Sequence, residues 1–276
     1  GCRMIALLKS DLYRTARSRW PWVVLALVAL ATLGSAILTI WWPLEPGIVY
    51  DGLTGRAGAL RLAGRGSSIV LVATIAPFVA AHLSCADSDS GFDRTLLSSL
   101  RGHVAYFAEK YLLAVLLSGA ILIAYLAFSG LGVLVTLRAV TNVEPFWQVA
   151  VWVGEGWLAA CVYALIVLLV GQLTRRRAIA FIVAFLLLSG AVEQGFFTFL
   201  LLVSNVFGLN WGPALEAALA WAPYVTTAAV GNGAVDMLAV DVTGFAPAVR
   251  ALVVCVPICL VCGALGILVG ARRDLA

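Results

Sequence analysis

Two carboxylic acids, Glu155 and Glu193, are the side chains best placed to do chemistry, because each sits deep in a long apolar run. An acid in hydrocarbon costs roughly 2.5–3.5 kcal/mol on insertion scales, so it is carried there for contact with an ion, a substrate or a neighbouring helix. Gln194 and Thr198 follow Glu193, and Gly154 and Gly156 flank Glu155, a composition that allows a water-reached polar patch. Such a patch would recognise a cation; protonated or hydrogen-bonded acids making structural contacts are the other reading. The remaining reactive residue types do not assemble into a centre. Asp87, Asp89 and Gly91 approach a calcium loop, but the glycine falls one position early and Ser98 stands where the bidentate Glu belongs. Cys255, Cys259 and Cys262 share a helix face without acidic or imidazole co-ligands, as packing residues do. His82 and His103 pair with no Cys and no H-E-x-x-H arrangement. No catalytic, metal or cofactor-binding residue is therefore assigned, and the chain is not expected to be an enzyme.

A second set of residues points to contact with another protein. From Asp87 to Lys110 a charged segment interrupts two apolar runs, and within it Phe92, Leu96, Leu100 and Val104 recur every four residues with Leu97 beside them. Asp93, Arg94, Ser98 and Arg101 point elsewhere, the pattern of a short amphipathic helix. A plain connection needs only a few polar residues, so a structured apolar face there predicts docking.

The elements that must hold these residues follow from composition. Of 276 residues 63% are apolar and 12% charged, and the mean hydropathy is +1.04, more apolar surface than a water-soluble domain buries. Windows long enough for a hydrocarbon layer of about 30 Å predict six spans, near residues 20–41, 67–84, 111–137, 148–173, 178–204 and 250–271. Thirteen of the eighteen Lys and Arg residues precede span one, lie between spans two and three or four and five, or follow span six. Basic residues stay cytoplasmic during insertion, so both termini are expected in the cytoplasm. Counted from the inner ends, Glu155 and Glu193 then lie about 27 and 22 Å up their helices, in the outer half. The net charge of +4 needs no nucleic acid to explain it.

The first run has a basic leader but is too long for a secretion signal and lacks a small-x-small cleavage site, so it is expected to persist as span one. Residues 4–19 place Ile5, Leu8, Leu12 and Ala16 at helical spacing, with Lys9, Arg14, Arg17 and Arg19 able to reach lipid phosphates. They read as an amphipathic helix in the inner interface, or as an ordinary basic flank that is helical. Trp20, Trp22, Trp41 and Trp42 fit interfacial anchors. Between spans five and six, Pro213 and Pro223 bracket a short helix, and Val225 to Val240 is too short to span, so outer or re-entrant helices are expected. The expected fold is an all-α integral membrane protein: residues 20–273 form the six-helix domain, with a cytoplasmic coupling loop at 87–110. A high Arg to Lys ratio and abundant Ala, Val, Leu and Gly point to a GC-rich bacterial genome, hence the bacterial cytoplasmic membrane.

The opening LLKSDLYRTARSRWPW resembles the amino-terminal signature of type 2 ABC exporter permeases, an acidic-aromatic-basic interfacial helix leading into the first span. The segment ADSDSGFDRTLLSSLRGHVAYFAEKYL is similar to that family's cytoplasmic loop, with Asp89, Gly91, Thr95, Leu96, Leu97, Arg101 and Lys110 in the matching places, and the terminal ARRDL is similar to its usual ending. The resemblance implies an ATP-driven exporter subunit whose Phe92–Leu100 helix sits in a cleft of a separate ATPase. Asp89, Gly91, Phe92, Arg94, Thr95, Leu96, Leu97, Leu100 and Arg101 would make that coupling contact. The chain has no Gly-x-x-x-x-Gly-Lys-Ser/Thr loop, so ATP and magnesium belong to the ATPase, present in two copies. Six spans are half a pathway, which implies a second permease chain, identical or homologous. The compact form looks similar to the lantibiotic-immunity branch, which implies an amphipathic antimicrobial peptide as substrate, met by Glu155, Glu193 and Gln194. A channel or ion-coupled carrier using Glu155 and Glu193 is the alternative.

Overall fold

The computed structural model describes residues 2–41, 49–55, 58–61, 69–89, 103–137, 139–240 and 244–272. Among them the chain is mostly helical. Helix α1 (Cys2–Arg17) turns at Ser18 into α2 (Trp20–Trp41); α3 (Val70–Asp89) and α4 (His103–Thr136) follow, then α5 (Phe146–Thr174), α6 (Arg177–Leu188) and α7 (Ala191–Val206). Three short helices, α8 (Gly212–Leu219), α9 (Pro223–Val230) and α10 (Ala234–Leu238), lead to α11 (Pro247–Arg272). The segment 90–102, with Gly91, Phe92, Arg94, Thr95, Leu96, Leu97, Leu100 and Arg101 of the expected coupling helix, lies outside the described residues. Asp89 is the last residue of α3.

By length and composition α2, α4, α5 and α11 can each cross a membrane, and α6 with α7 makes a fifth crossing if the bent pair is one span. The protein is thus a multi-pass helical membrane protein. The apolar part of α3, Val70–Leu83, is shorter. Helix α5 is the hub, with 61% of its most apolar stretch buried against 17% for α11. It packs on α3, α4, α6 and α11. Small residues explain the closest pairing: Ala73, Ala76 and Ala80 of α3 face the layer that holds Ala160 and Ala164 of α5, and a Cβ on Gly156 would overlap the Ile69 side chain. Small side chains let helix backbones approach where apolar burial alone gives no preference over lipid. Gly266 and Gly270 of α11 do the same work, receiving the Tyr111 and Phe107 rings of α4.

Three details go beyond the apolar windows. The run 178–204 is not one straight helix: α6 and α7 meet at 62°. Gly190 stops α6 with φ +65°, a conformation costly for any residue with a Cβ, and the Tyr224 ring occupies the space a side chain would need. Within this all-α fold, a two-residue ladder ties two loops: β1 (Tyr50–Asp51) pairs in parallel with β2 (Val140–Thr141), in the register Tyr50 to Val140 and Asp51 to Thr141. Span three is longer than the apolar run predicted, because the helix continues back to His103.

Candidate functional site

At the basic end of the helices, α1 packs on α4 and α2. Its turns place Asp11 and Thr15 inward and leave Leu12 and Ala16 exposed. Asp11 forms an ion pair with Lys110 near the start of α4, both side chains about nine-tenths buried (11% and 10% exposed). Arg14 also reaches Asp11, at 3.4 Å and one turn on. Lys110 lies 5.2 Å from the Tyr106 ring centroid. Two oppositely charged groups removed from water are held only where each satisfies the other, so this pair fixes α1 to the helix that emerges from segment 90–102. Beside it, Trp20 of α2 packs on the His82 ring at 4.6 Å, and His82 contacts the Arg177 guanidinium that begins α6. A cavity of about 560 Å³ opens here, bounded by α1, α2, α3 and α4.

At the opposite ends of α4 and α5 a different carboxylate organises the loops. Glu144, 8% exposed, accepts the backbone N–H of Leu53, the N–H of Thr54 at 3.0 Å and the Thr54 hydroxyl at 2.7 Å. Burial works against its charge, but the donations from Leu53 and Thr54 prevail and hold its pKa below the usual carboxylate value. Thr54 Oγ1 in turn accepts the N–H of Ala234 at 2.8 Å, tying α10 to the same knot. Gly52, at φ +77°, brings its backbone so close that a Cβ would lie 2.8 Å from the Glu144 carboxylate. Tyr125 donates to the Leu60 carbonyl at 2.7 Å and Trp152 Nε1 to the Val230 carbonyl at 2.9 Å, closing the cap over the core.

The acids singled out from sequence lie in the layer beneath. Glu155 is 4% exposed, and its Oε2 has no hydrogen-bond partner among the described residues. Glu193, half-buried, accepts the Tyr224 N–H at 2.9 Å, pinning α7 to α9. Gln194 is exposed. Cys255 of α11 is within electrostatic reach of Glu155, and Tyr163 of α5 is within reach of both Glu193 and Cys255. Glu155 is thus sealed inside the bundle, and Glu193 sits half-buried at the contact of α7 with α9. Cys161, Cys255, Cys259 and Cys262 are free thiols at the α5–α11 packing.

Sequence reasoning missed Glu144 altogether. Its partners lie some ninety positions away, and a Glu before a Pro in a connecting loop carries no local mark of that. Asp11 entered only within a longer resemblance.

Fold and site define a multi-pass helical membrane protein with a charged clasp at one face and a hydrogen-bonded cap at the other. No family model matches the chain, and no curated protein matches it significantly.

Proposed function

We propose that this chain is the membrane-spanning permease subunit of an ATP-driven exporter of the type 2 ABC class, forming half of a translocation pathway with a second permease chain. One observation carries the reading. Asp11 and Lys110, which belong to the two separate stretches that resemble that family, form a buried ion pair. The pair joins the interfacial helix to the helix leaving the 87–110 segment, so a push on that segment moves α1 and α4 together. Rigid-body displacement of linked helices is how closure of an external ATPase becomes movement in a membrane domain.

In this account α3 crosses as well, giving six spans with both termini in the cytoplasm of a bacterium. Phe92, Leu96 and Leu100 enter a cleft of the ATPase, with Asp89, Gly91, Arg94, Thr95, Leu97 and Arg101 around them. ATP and magnesium are bound by two copies of that partner. The substrate is a cationic amphipathic peptide such as a lantibiotic, met by Glu155, Glu193 and Gln194 in the outer half of the pathway. Electrostatic attraction in a low-dielectric cavity is strong enough for two acids to set such a preference.

The test is ATP-dependent peptide export by the permease and its ATPase in proteoliposomes, comparing native protein with Glu155→Gln/Glu193→Gln. The account predicts at least a tenfold loss for a cationic peptide. Unchanged export would remove the acids from the substrate pathway. Peptide or ion movement driven by a proton or sodium gradient without ATPase would instead favour a carrier, a reading that rests on the Glu155 oxygen that has no partner among the described residues.

A further inference from the structure

The cavity beneath α1 has a charged mouth and an apolar body. Its mouth is formed by Asp11, Arg14 and Arg17 of α1 and Lys110 of α4, with Tyr13 and Trp20 at the same level. Its body is lined by Val28, Leu113, Leu117, Ala120, Ile121 and Ala124, among others. The volume, about 560 Å³, falls within the roughly 300–1,000 Å³ of sites that enclose small molecules. Along α4 the lining runs from Lys110 to Ala124, about 21 Å at the helical rise. One leaflet of hydrocarbon is about half of a 30 Å core, so the body is deep enough to hold an extended acyl chain.

Charge selects the ligand that fits the mouth. The Asp11 carboxylate is engaged by Lys110 and Arg14, so it adds no net negative charge to the entrance. Among the described residues that line it, Arg14, with its side chain 44% exposed, Arg17, stacked over the Tyr13 ring at 5.4 Å, and Lys110 outnumber the single acid Asp11, so the rim they form is basic. The other ring at the rim, His82, is turned to Trp20 and Arg177. A cationic amphiphile would be repelled here and an anionic one held. Tyr and Trp at headgroup level are the usual anchors at the boundary of water and hydrocarbon.

We propose that this cavity binds one anionic glycerophospholipid of the adjoining leaflet, its phosphodiester at Arg14 and Arg17 and one acyl chain between α2, α3 and α4. The site is distinct from any cationic peptide pathway, and the inference goes beyond the transport reading because it holds whether or not an ATPase is engaged. A lipid seated there contacts α1, α2, α3 and α4 at once, and so bears directly on the clasp between Asp11 and Lys110.

The experiment uses the full chain, purified in neutral detergent and offered phosphatidylglycerol and phosphatidylcholine of identical acyl composition, with bound lipid read by native mass spectrometry. The native protein is expected to retain phosphatidylglycerol preferentially. Arg14→Gln/Arg17→Gln should lower that preference about 25-fold, at about fivefold per basic residue beside an anionic headgroup, with phosphatidylcholine retention unchanged. Ala120→Phe, which fills the slot, should lose both lipids. Both arginines lie on the exposed face, so the double variant decides the question if Ala120→Phe does not fold. Equal retention of the two lipids by the native protein, or a preference unchanged in Arg14→Gln/Arg17→Gln, would overturn the proposal. So would displacement of phosphatidylglycerol by millimolar glycerol phosphate or inorganic phosphate, which would show a headgroup site without a chain slot.

Discussion

Glu144 and Asp11 are both carboxylates buried at a membrane face, and they are held by opposite means. Neutral donors satisfy Glu144, from the Leu53 and Thr54 backbone and the Thr54 hydroxyl, whereas a buried ammonium satisfies Asp11. Because folding lowers the Glu144 pKa, its contribution is complete above the ordinary carboxylate pKa of about 4.3 and is lost as the pH falls through the folded value. Glu144→Ala should therefore lower the unfolding temperature at pH 7, with a loss of about 2 kcal/mol for hydrogen bonds to a charged acceptor. In thermal scans at decreasing pH the gap between variant and native protein should narrow below about pH 4; a gap independent of pH would refute the assignment. For the clasp, Asp11→Asn leaves the Lys110 ammonium buried without its counter-charge, a change that costs about 3 kcal/mol. Asp11→Leu/Lys110→Met, which removes both charges, should cost markedly less in denaturant unfolding. Neither role could be read locally, since each depends on a partner some ninety to a hundred positions away. The acids that did stand out, Glu155 and Glu193, were visible because charge inside an apolar run contrasts with its own neighbours.

The helices were largely legible because a membrane span is specified by length and hydropathy alone, and the predicted runs for spans one, three, four and six fall within α2, α4, α5 and α11, give or take a residue at their ends. The bend between α6 and α7 was not legible. Ser189 and Gly190 scarcely lower the average of an apolar window, yet Gly190 adopts a left-handed conformation against the Tyr224 ring. Gly190→Ala is expected to destabilise the protein by about 1–2 kcal/mol from backbone strain alone, measured as a drop in unfolding temperature. No drop would mean that the bend is not held by this residue. The β1–β2 pair was equally hidden, because two-residue strands carry no periodicity. Gly266 and Gly270, four apart in an apolar helix, leave room for the rings of Tyr111 and Phe107. Gly266→Leu should force α4 and α11 apart at a cost of about 1–3 kcal/mol, the usual penalty of overpacking, and preserved stability would contradict that contact.

Across the whole molecule the burial is uneven. Helix α5 is enclosed, while α2 and α11 keep apolar flanks outward, with Trp22, Leu27, Leu30 and Leu38 on one and Leu252, Val256, Leu260 and Leu268 on the other. Such surfaces belong in lipid or against another chain; the proposal of a paired permease uses one of them for the second chain. That the chain is a multi-pass helical membrane protein was readable from composition, and the proposed energy source only from the resemblance of the 87–110 segment, because a docking helix takes its meaning from a partner. The most direct measurement of the proposal is co-purification of this chain with a Walker-motif ATPase, paired with ATP-driven export in proteoliposomes, for native protein and for Phe92→Ala/Arg94→Glu. The account predicts a stable complex and export for the native chain, with both lost together in the variant while the chain stays folded. Export that needs no ATPase, or a complex and transport unaffected by the two substitutions, would contradict it.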